Sequence, residues 1–231
     1  MWQPFVEVTG GMAPDLPGFG ASDKPANGDY TFRGLGRYVS ELIAGMDRVS
    51  LVMHDWGAVG LLAAMERPDA IERIVLFDAV PFLPGYRWHP VARIWRTPVL
   101  GELFMGLSTR WGALQLAKRE AGNRLPRAAI EQQVDQIWKH FDHGTQRAIL
   151  RLYRSAPEDV LAKTGEGLGR IEAPALVVWG GLDPYLPTGL AQAYGKALGG
   201  EATVEIADGA GHWPWGERPE LIGRVAEFLA G

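Results

Sequence analysis

Three short stretches of this sequence hold residues whose types and spacing could do chemistry together. In LVMHDWGAVG (51–60) an apolar run stops at His54, Asp55 and Trp56, and Gly57, Gly60 and a helix-like apolar stretch follow. In VVWGGLDPYLP, Asp183 comes a few residues after another apolar run; in GAGHWPWGERPE, His212 sits in a Gly-rich loop. A small-x-nucleophile-x-small turn between strand and helix pushes one side chain out at the strand's carboxyl end. It also aims the helix N-terminus at the reacting centre, where negative charge develops. Here the projecting residue is Asp55, with Gly57 the small residue after it. A carboxylate needs no base to deprotonate it and can attack a saturated carbon. Each residue alone has a plainer reading: a helix cap for Asp55, a turn initiator before Pro184 for Asp183, a structural loop residue for His212. The order nucleophile, acid, histidine, with each residue after a strand, outweighs those separate readings.

The surrounding pattern supplies the elements that must position them. SLVM (50–53), RIVLFDA (73–79), ALVVWG (175–180) and TVEIA (203–207) are continuous apolar runs of the kind found in parallel strands covered on both faces. A shorter strand is expected at MAPDL (12–16), before the turn PGFG. Helices are expected over Phe32 to Met46, Ala58 to Glu66, Leu190 to Leu198 and Pro219 to Leu229. Strands alternating with helices mean βαβ units and a mostly parallel sheet. From about Pro81 to Gly169 no strand is evident, only helix and loop patterns. The expected organisation is therefore an α/β core of residues 1–80 and 170–231 with a helical cap, 81–169, inserted between two strands. Such a cap closes over the carboxyl ends of the strands, where open α/β sheets bind ligands.

Bulk properties exclude several functions. The 231 residues are 47% hydrophobic and 22% charged with a net charge of −4, which favours neither nucleic acid nor an anionic membrane. With no cysteine, thiolate metal sites and Cys nucleophiles are ruled out. No apolar run approaches the roughly 20 residues that span a bilayer, and no secretory signal is evident, so a cytoplasmic protein is expected. Nine tryptophans suggest an aromatic-lined cavity. His140 and His143 have a spacing compatible with a metal but no matched third ligand, so no metal and no cofactor are expected. Oligomeric state is not legible.

The segments APDLPGFGASDKP, HDWGA, WGGLDPYLP and GAGHWPW resemble the α/β-hydrolase superfamily, in its epoxide hydrolase and haloalkane dehalogenase branch, over nearly the whole chain. The resemblance implies that Asp55 attacks carbon to form an alkyl ester. His212, oriented by Asp183, then activates water to hydrolyse it. The substrate implied is a small apolar organic molecule.

The match has gaps. Relative to the family pattern, three strands and an oxyanion loop of His-Gly-x-Pro type have no counterpart before APDLPGFG, and MWQPFVEV resembles the helix that comes after that loop. The expectation is an N-terminally truncated fold in which the 12–16 strand pairs poorly with the elbow strand. Met53 stands where the family has Gly, two before the nucleophile, and is expected to crowd the turn. One oxyanion donor remains, the backbone N–H of Trp56. The leaving group divides the branch. The Trp56 indole is the family's usual halide donor but occurs in both sub-branches. ILRLYRS resembles the cap segment that supplies an epoxide-protonating tyrosine, which makes Tyr153 the acid. The second cap tyrosine has no clear match: Phe104 lies near where it would be sought, and Tyr86 is a substitute. Epoxide hydrolysis is the preferred reading and haloalkane dehalogenation the alternative. A catalytically impaired ligand-binding protein of the same fold is the alternative of another class.

Overall fold

The computed structural model describes residues 1–122 and 125–231. In chain order the helices and strands begin with α1 (Gln3–Thr9), α2 (Phe32–Leu42), β1 (Val49–Asp55), α3 (Gly60–Glu66) and β2 (Ile71–Ala79). Six helices come next: α4 (Pro90–Arg96), α5 (Leu100–Gly106), α6 (Arg110–Glu120), α7 (Arg127–Trp138), α8 (His143–Arg154) and α9 (Glu158–Thr164). Then come β3 (Ala175–Gly180), α10 (Gly189–Ala197), β4 (Ala202–Ala207), α11 (Pro214–Glu217) and α12 (Glu220–Ala230).

The strands form one parallel sheet in the order β1-β2-β3-β4. Its middle strands are the most apolar and most buried, with β3 buried throughout. Successive side chains alternate between faces. Ile74 and Leu76 of β2 and Val177 and Trp179 of β3 join Leu35, Leu61 and Tyr194 from α2, α3 and α10. Their neighbours Val75, Phe77, Leu176 and Val178 face Phe5, Leu221 and Val225 from α1 and α12. Helices therefore cover both faces, as a parallel sheet requires. Among the described residues no helix is long and apolar enough to cross a membrane.

The expected strand at 12–16 does not form. Asp15 is turned into the adjoining loop instead: its Oδ2 accepts from Ala21 N at 2.8 Å and its carbonyl from Ser22 Oγ at 2.6 Å. The sheet consequently has no gap in its centre; β1 is its outer strand among the described residues. The first long helix ends at Leu42 rather than Met46, and Thr31 opens it by accepting from Gly34 N at 3.0 Å. Met53 does not crowd the turn as expected. It is buried against Gly60, where a Cβ would lie 2.7 Å from its Sδ, so the first residue of α3 leaves the room that Met53 needs.

The chain leaves the sheet after β2 and returns before β3 at adjoining points. A Cβ at Gly165 would overlap the Phe82 carbonyl oxygen, at 1.7 Å. Buried Tyr194 braces the departure, donating its hydroxyl to Val80 O at 2.6 Å and accepting from Phe82 N at 3.0 Å.

Candidate active site

Asp55 ends β1 with φ 48° and ψ −121°, in the left-handed half of backbone space that a non-glycine residue enters at a cost of about 1–3 kcal/mol. A short 3-10 turn, Trp56–Val59, links it directly to α3. Val80 N donates to Asp55 O at 3.1 Å, so the end of β2 holds the strained peptide. This conformation projects the Asp55 side chain beyond the sheet. Burial raises its carboxyl to about 6, against the lowering effects of the His212 charge and the Trp56 backbone N–H.

His212 comes after β4 and Asp183 after β3. Asp183 Oδ2 and His212 Nδ1 are 2.7 Å apart, a direct imidazole–carboxylate bond. Asp183 Oδ1 accepts from the backbone N–H groups of Tyr185 (2.7 Å) and Leu186 (3.1 Å), which fixes the carboxylate plane. Burial works against ionisation of Asp183, but the His212 bond and charge and the Tyr185 N–H outweigh it and lower its pKa. Burial alone would lower His212; the bond to Asp183 and the charges of Asp183, Asp55 and Asp78 push it up instead, to about 10.

A third carboxyl group, legible in the sequence only as the acidic residue at the end of an apolar run, joins them. Asp78, at φ 35° near the end of β2, is fully buried, accepts from Gly180 N at 2.9 Å through Oδ1 and shares a side-chain hydrogen bond with Asp183. Polar atoms of Asp78, Asp183 and His212 lie within 4.8 Å of one another. Burial, and then the Asp183 charge, raise Asp78 well above the carboxylate range, so it is the protonated member of the pair.

Asp55 and His212 face a cavity of about 270 Å³ beneath α4, α6, α7 and α8. Trp56, Tyr86, Trp95 and Tyr153 also line it. Burial, then the Asp55 charge, raise the phenols of Tyr86 and Tyr153 above the ordinary tyrosine value, so both are protonated donors. Among the described residues, the Tyr86 hydroxyl and the indole N–H groups of Trp56 and Trp95 are buried without a hydrogen-bond partner. The Trp56 indole lies edge-on to Tyr153, ring centres 5.2 Å apart, and favours its phenolate without making a bond of acceptable geometry. Trp95 also meets Tyr153, ring centres 4.8 Å apart. Phe104, by contrast, is 38% exposed and does not line the cavity. His140 and His143 are likewise away from it; His143 bonds Gln146 at 3.1 Å.

Sequence reasoning also missed the role of Glu120, at the end of α6. Its carboxylate lies on the cavity wall and accepts from the Tyr185 hydroxyl (3.0 Å) and the Trp213 indole (3.4 Å). No motif marks it, because its neighbours come from distant loops.

An Asp at a strand-to-helix elbow, a His–Asp pair after later strands and a helical segment over the sheet's carboxyl edge coincide with what comparison finds. The chain belongs to the alpha/beta hydrolase family, whose model matches residues 1–225. Among its relatives, haloalkane dehalogenase 1 of Mycobacterium bovis is 33% identical over 192 residues, covering 76% of this chain and 59% of the relative's length. The haloalkane dehalogenase of Mycolicibacterium paratuberculosis is 29% identical over 238 residues, covering 94% of this chain and 73% of that protein. Two solved structures share the fold at lower identity. Haloalkane dehalogenase DbeA from Bradyrhizobium elkani gives a TM-score of 0.78 at 23% identity, covering 100% of this chain and 85% of its own. Epoxide hydrolase CorEH gives 0.77 at 20%, covering 99% and 86%.

Proposed function

We propose that this protein hydrolyses small apolar epoxides through an ester on Asp55, with the helical segment 81–169 acting as a cap. One observation carries the choice of substrate: two protonated phenols, Tyr86 and Tyr153, share the cavity with the Asp55 carboxylate. An Asp55 oxygen bonds to an epoxide carbon while the ring C–O bond breaks. The departing oxygen takes a proton from Tyr153 or Tyr86. His212 then removes a proton from water, whose oxygen adds to the ester carbonyl. The Trp56 N–H stabilises the resulting oxyanion. Collapse breaks the ester C–O bond, the leaving alkoxide takes the proton of the added hydroxyl so that the diol departs and the Asp55 carboxylate is restored, and the proton on His212 returns to the tyrosinate.

The charges favour this sequence of steps. Ionised Asp55 helps to hold the proton on His212. Esterification removes that charge, so His212 gives up its proton more readily when a base is needed. Protonated Asp78 supports the ionised Asp183 without adding a second negative charge to the pair.

Haloalkane dehalogenation is the second reading. The unpartnered indole N–H of Trp56, adjacent to the nucleophile, is suited to a departing halide, and the mycobacterial relatives carry that activity in their names. Both readings share the ester, so its detection is the first test. His212→Gln should accumulate protein heavier by the substrate's organic portion, on the peptide containing Asp55. Asp55→Asn should show no adduct, since a neutral amide is a poor nucleophile. No adduct from either substrate class would refute the ester mechanism.

A further inference from the structure

The loop that carries His212 is fastened to the helical segment above it. The backbone N–H of His212 donates to the carbonyl of Glu120, the last residue of α6, at 2.9 Å. Five residues on, Glu217 of α11 is nearly buried. Its Oε1 accepts two backbone N–H bonds, from Gly122 and from Gly211, each at 2.8 Å. One oxygen thus ties the residue preceding His212 to the chain just past α6. The approach is close enough that side chains are excluded on both sides. A Cβ at Gly211 would lie 2.0 Å from Glu120 O, and one at Gly122 would lie 2.3 Å from Gly209 O. Glu217 itself does not line the cavity.

We propose that Glu217 is a positioning residue for His212, fixing the base for the water step by locking its loop to the end of α6. The inference rests on the reading of Asp55 as nucleophile and His212 as base. A carboxylate oxygen suits this place because it accepts both N–H groups in charge-assisted bonds. Without it, one buried and one half-buried donor lose this partner and the loop is free to shift. Asp55 sits on the strained elbow at the end of β1, held by Val80, and does not depend on the latch. At a pH well above 6, where Asp55 is ionised in either variant, the effect of breaking it is therefore confined to the second step.

Single-turnover kinetics on the full chain, with styrene oxide as probe, separate the two steps. Glu217→Ala should form the Asp55 ester at the wild-type rate and hydrolyse it more slowly, by roughly 10²-fold if the imidazole is displaced by about 1 Å. Glu217→Gln keeps an oxygen acceptor in place and should recover most of that loss. An Ala variant that hydrolyses ester as fast as wild type, or that slows both steps equally, overturns the proposal. Amide hydrogen exchange on the wild-type protein tests the latch without chemistry and without a variant that must fold. Gly122, Gly211 and His212 should open as one cooperative unit. Independent exchange of Gly122 and Gly211 overturns the proposal. If His212→Gln forms no ester, the nucleophile reading has failed, and the exchange result alone decides whether the latch exists.

Discussion

His54 and His212 are joined by a 2.7 Å hydrogen bond in which the His54 ring Nε2 meets the carbonyl oxygen of His212. Burial, and then the His212 charge, hold His54 well below the usual histidine pKa, so the ring is neutral and Nε2–H is the donor. The residue before Asp55 thereby holds the backbone of the proposed base, while Asp183 holds its ring. The His54 ring is wedged against Trp213, with ring centres 4.1 Å apart, and against Trp215 at 5.0 Å.

Removing that ring should cost stability and timing together. His54→Ala leaves a buried carbonyl without its donor, at about 1–3 kcal/mol, and opens a void between two indoles. The melting temperature should fall, and ester hydrolysis should slow more than ester formation. Calorimetry and single-turnover kinetics on the same preparation check both. An unchanged step ratio would leave His54 a packing residue only.

Asp55 should be a destabilising residue in the folded protein. Its carboxyl is raised from 3.8 to about 6, so the folded chain binds that proton more tightly than the unfolded chain. Ionised Asp55 therefore disfavours folding above that pH, and the penalty fades as the pH falls from about 6 toward 4. Asp55→Asn should raise stability at neutral pH by on the order of 1–3 kcal/mol. For a chain of this size that is about 2–4 °C per kcal/mol. The gain should vanish near pH 4, toward the unfolded-state value. A variant no more stable than wild type at pH 7.5 would contradict the raised pKa.

The two steps of the proposed mechanism should differ in pH dependence. Ester formation requires ionised Asp55 and should decline as pH falls through about 6. Ester hydrolysis requires neutral His212, whose value of about 10 in the free protein owes part of its height to the Asp55 charge. Esterification removes that charge, so hydrolysis should rise with pH through a midpoint below 10. Rapid-mix experiments at successive pH values would show it. Ester formation that is level down to pH 4 would exclude Asp55 as a perturbed nucleophile.

The phenols and the indole should divide the two substrate classes. Tyr153→Phe, and more so the double variant with Tyr86→Phe, should slow epoxide opening by the roughly 10²–10⁴-fold typical of a general acid. Attack on a haloalkane should be largely spared. Trp56→Phe should do the reverse. Equal loss on both substrates would return Tyr153 to packing the cap and remove the ground for preferring epoxides.

The sheet is legible in the sequence because its middle strands are nearly continuous apolar runs buried on both faces, and the two outer strands, though less buried, keep enough of that pattern to be read with them. The loops bearing Asp55, Asp183 and His212 are legible for a related reason. Each comes directly after one of those strands, and parallel strands deliver their succeeding loops to one edge. The 12–16 segment misleads because apolar residues beside a turn look like a strand, whereas its Asp15 is committed to bonds within the loop. Met53 misleads because the space it needs is provided by Gly60, seven residues away and on another element. The significance of Asp78, Glu120 and Glu217 is not legible at all. It lies in contacts across the fold, and no local spacing encodes that.

The contact between Phe82 and Gly165 bears on how this architecture can change. The entire run of helices α4 to α9 departs and returns through one narrow stalk, braced by Tyr194, while the sheet beneath closes without it. An insertion whose ends already touch adds little to the entropy of closing the parent chain, and that cost grows only slowly with the length inserted. The helical segment is thus in effect a graft on a fixed rootstock. Provided the end of α6 that meets the His212 loop is kept, it can be lengthened, shortened or exchanged for one of different lining while the elbow at Asp55 and the Asp183–His212 pair stay in place.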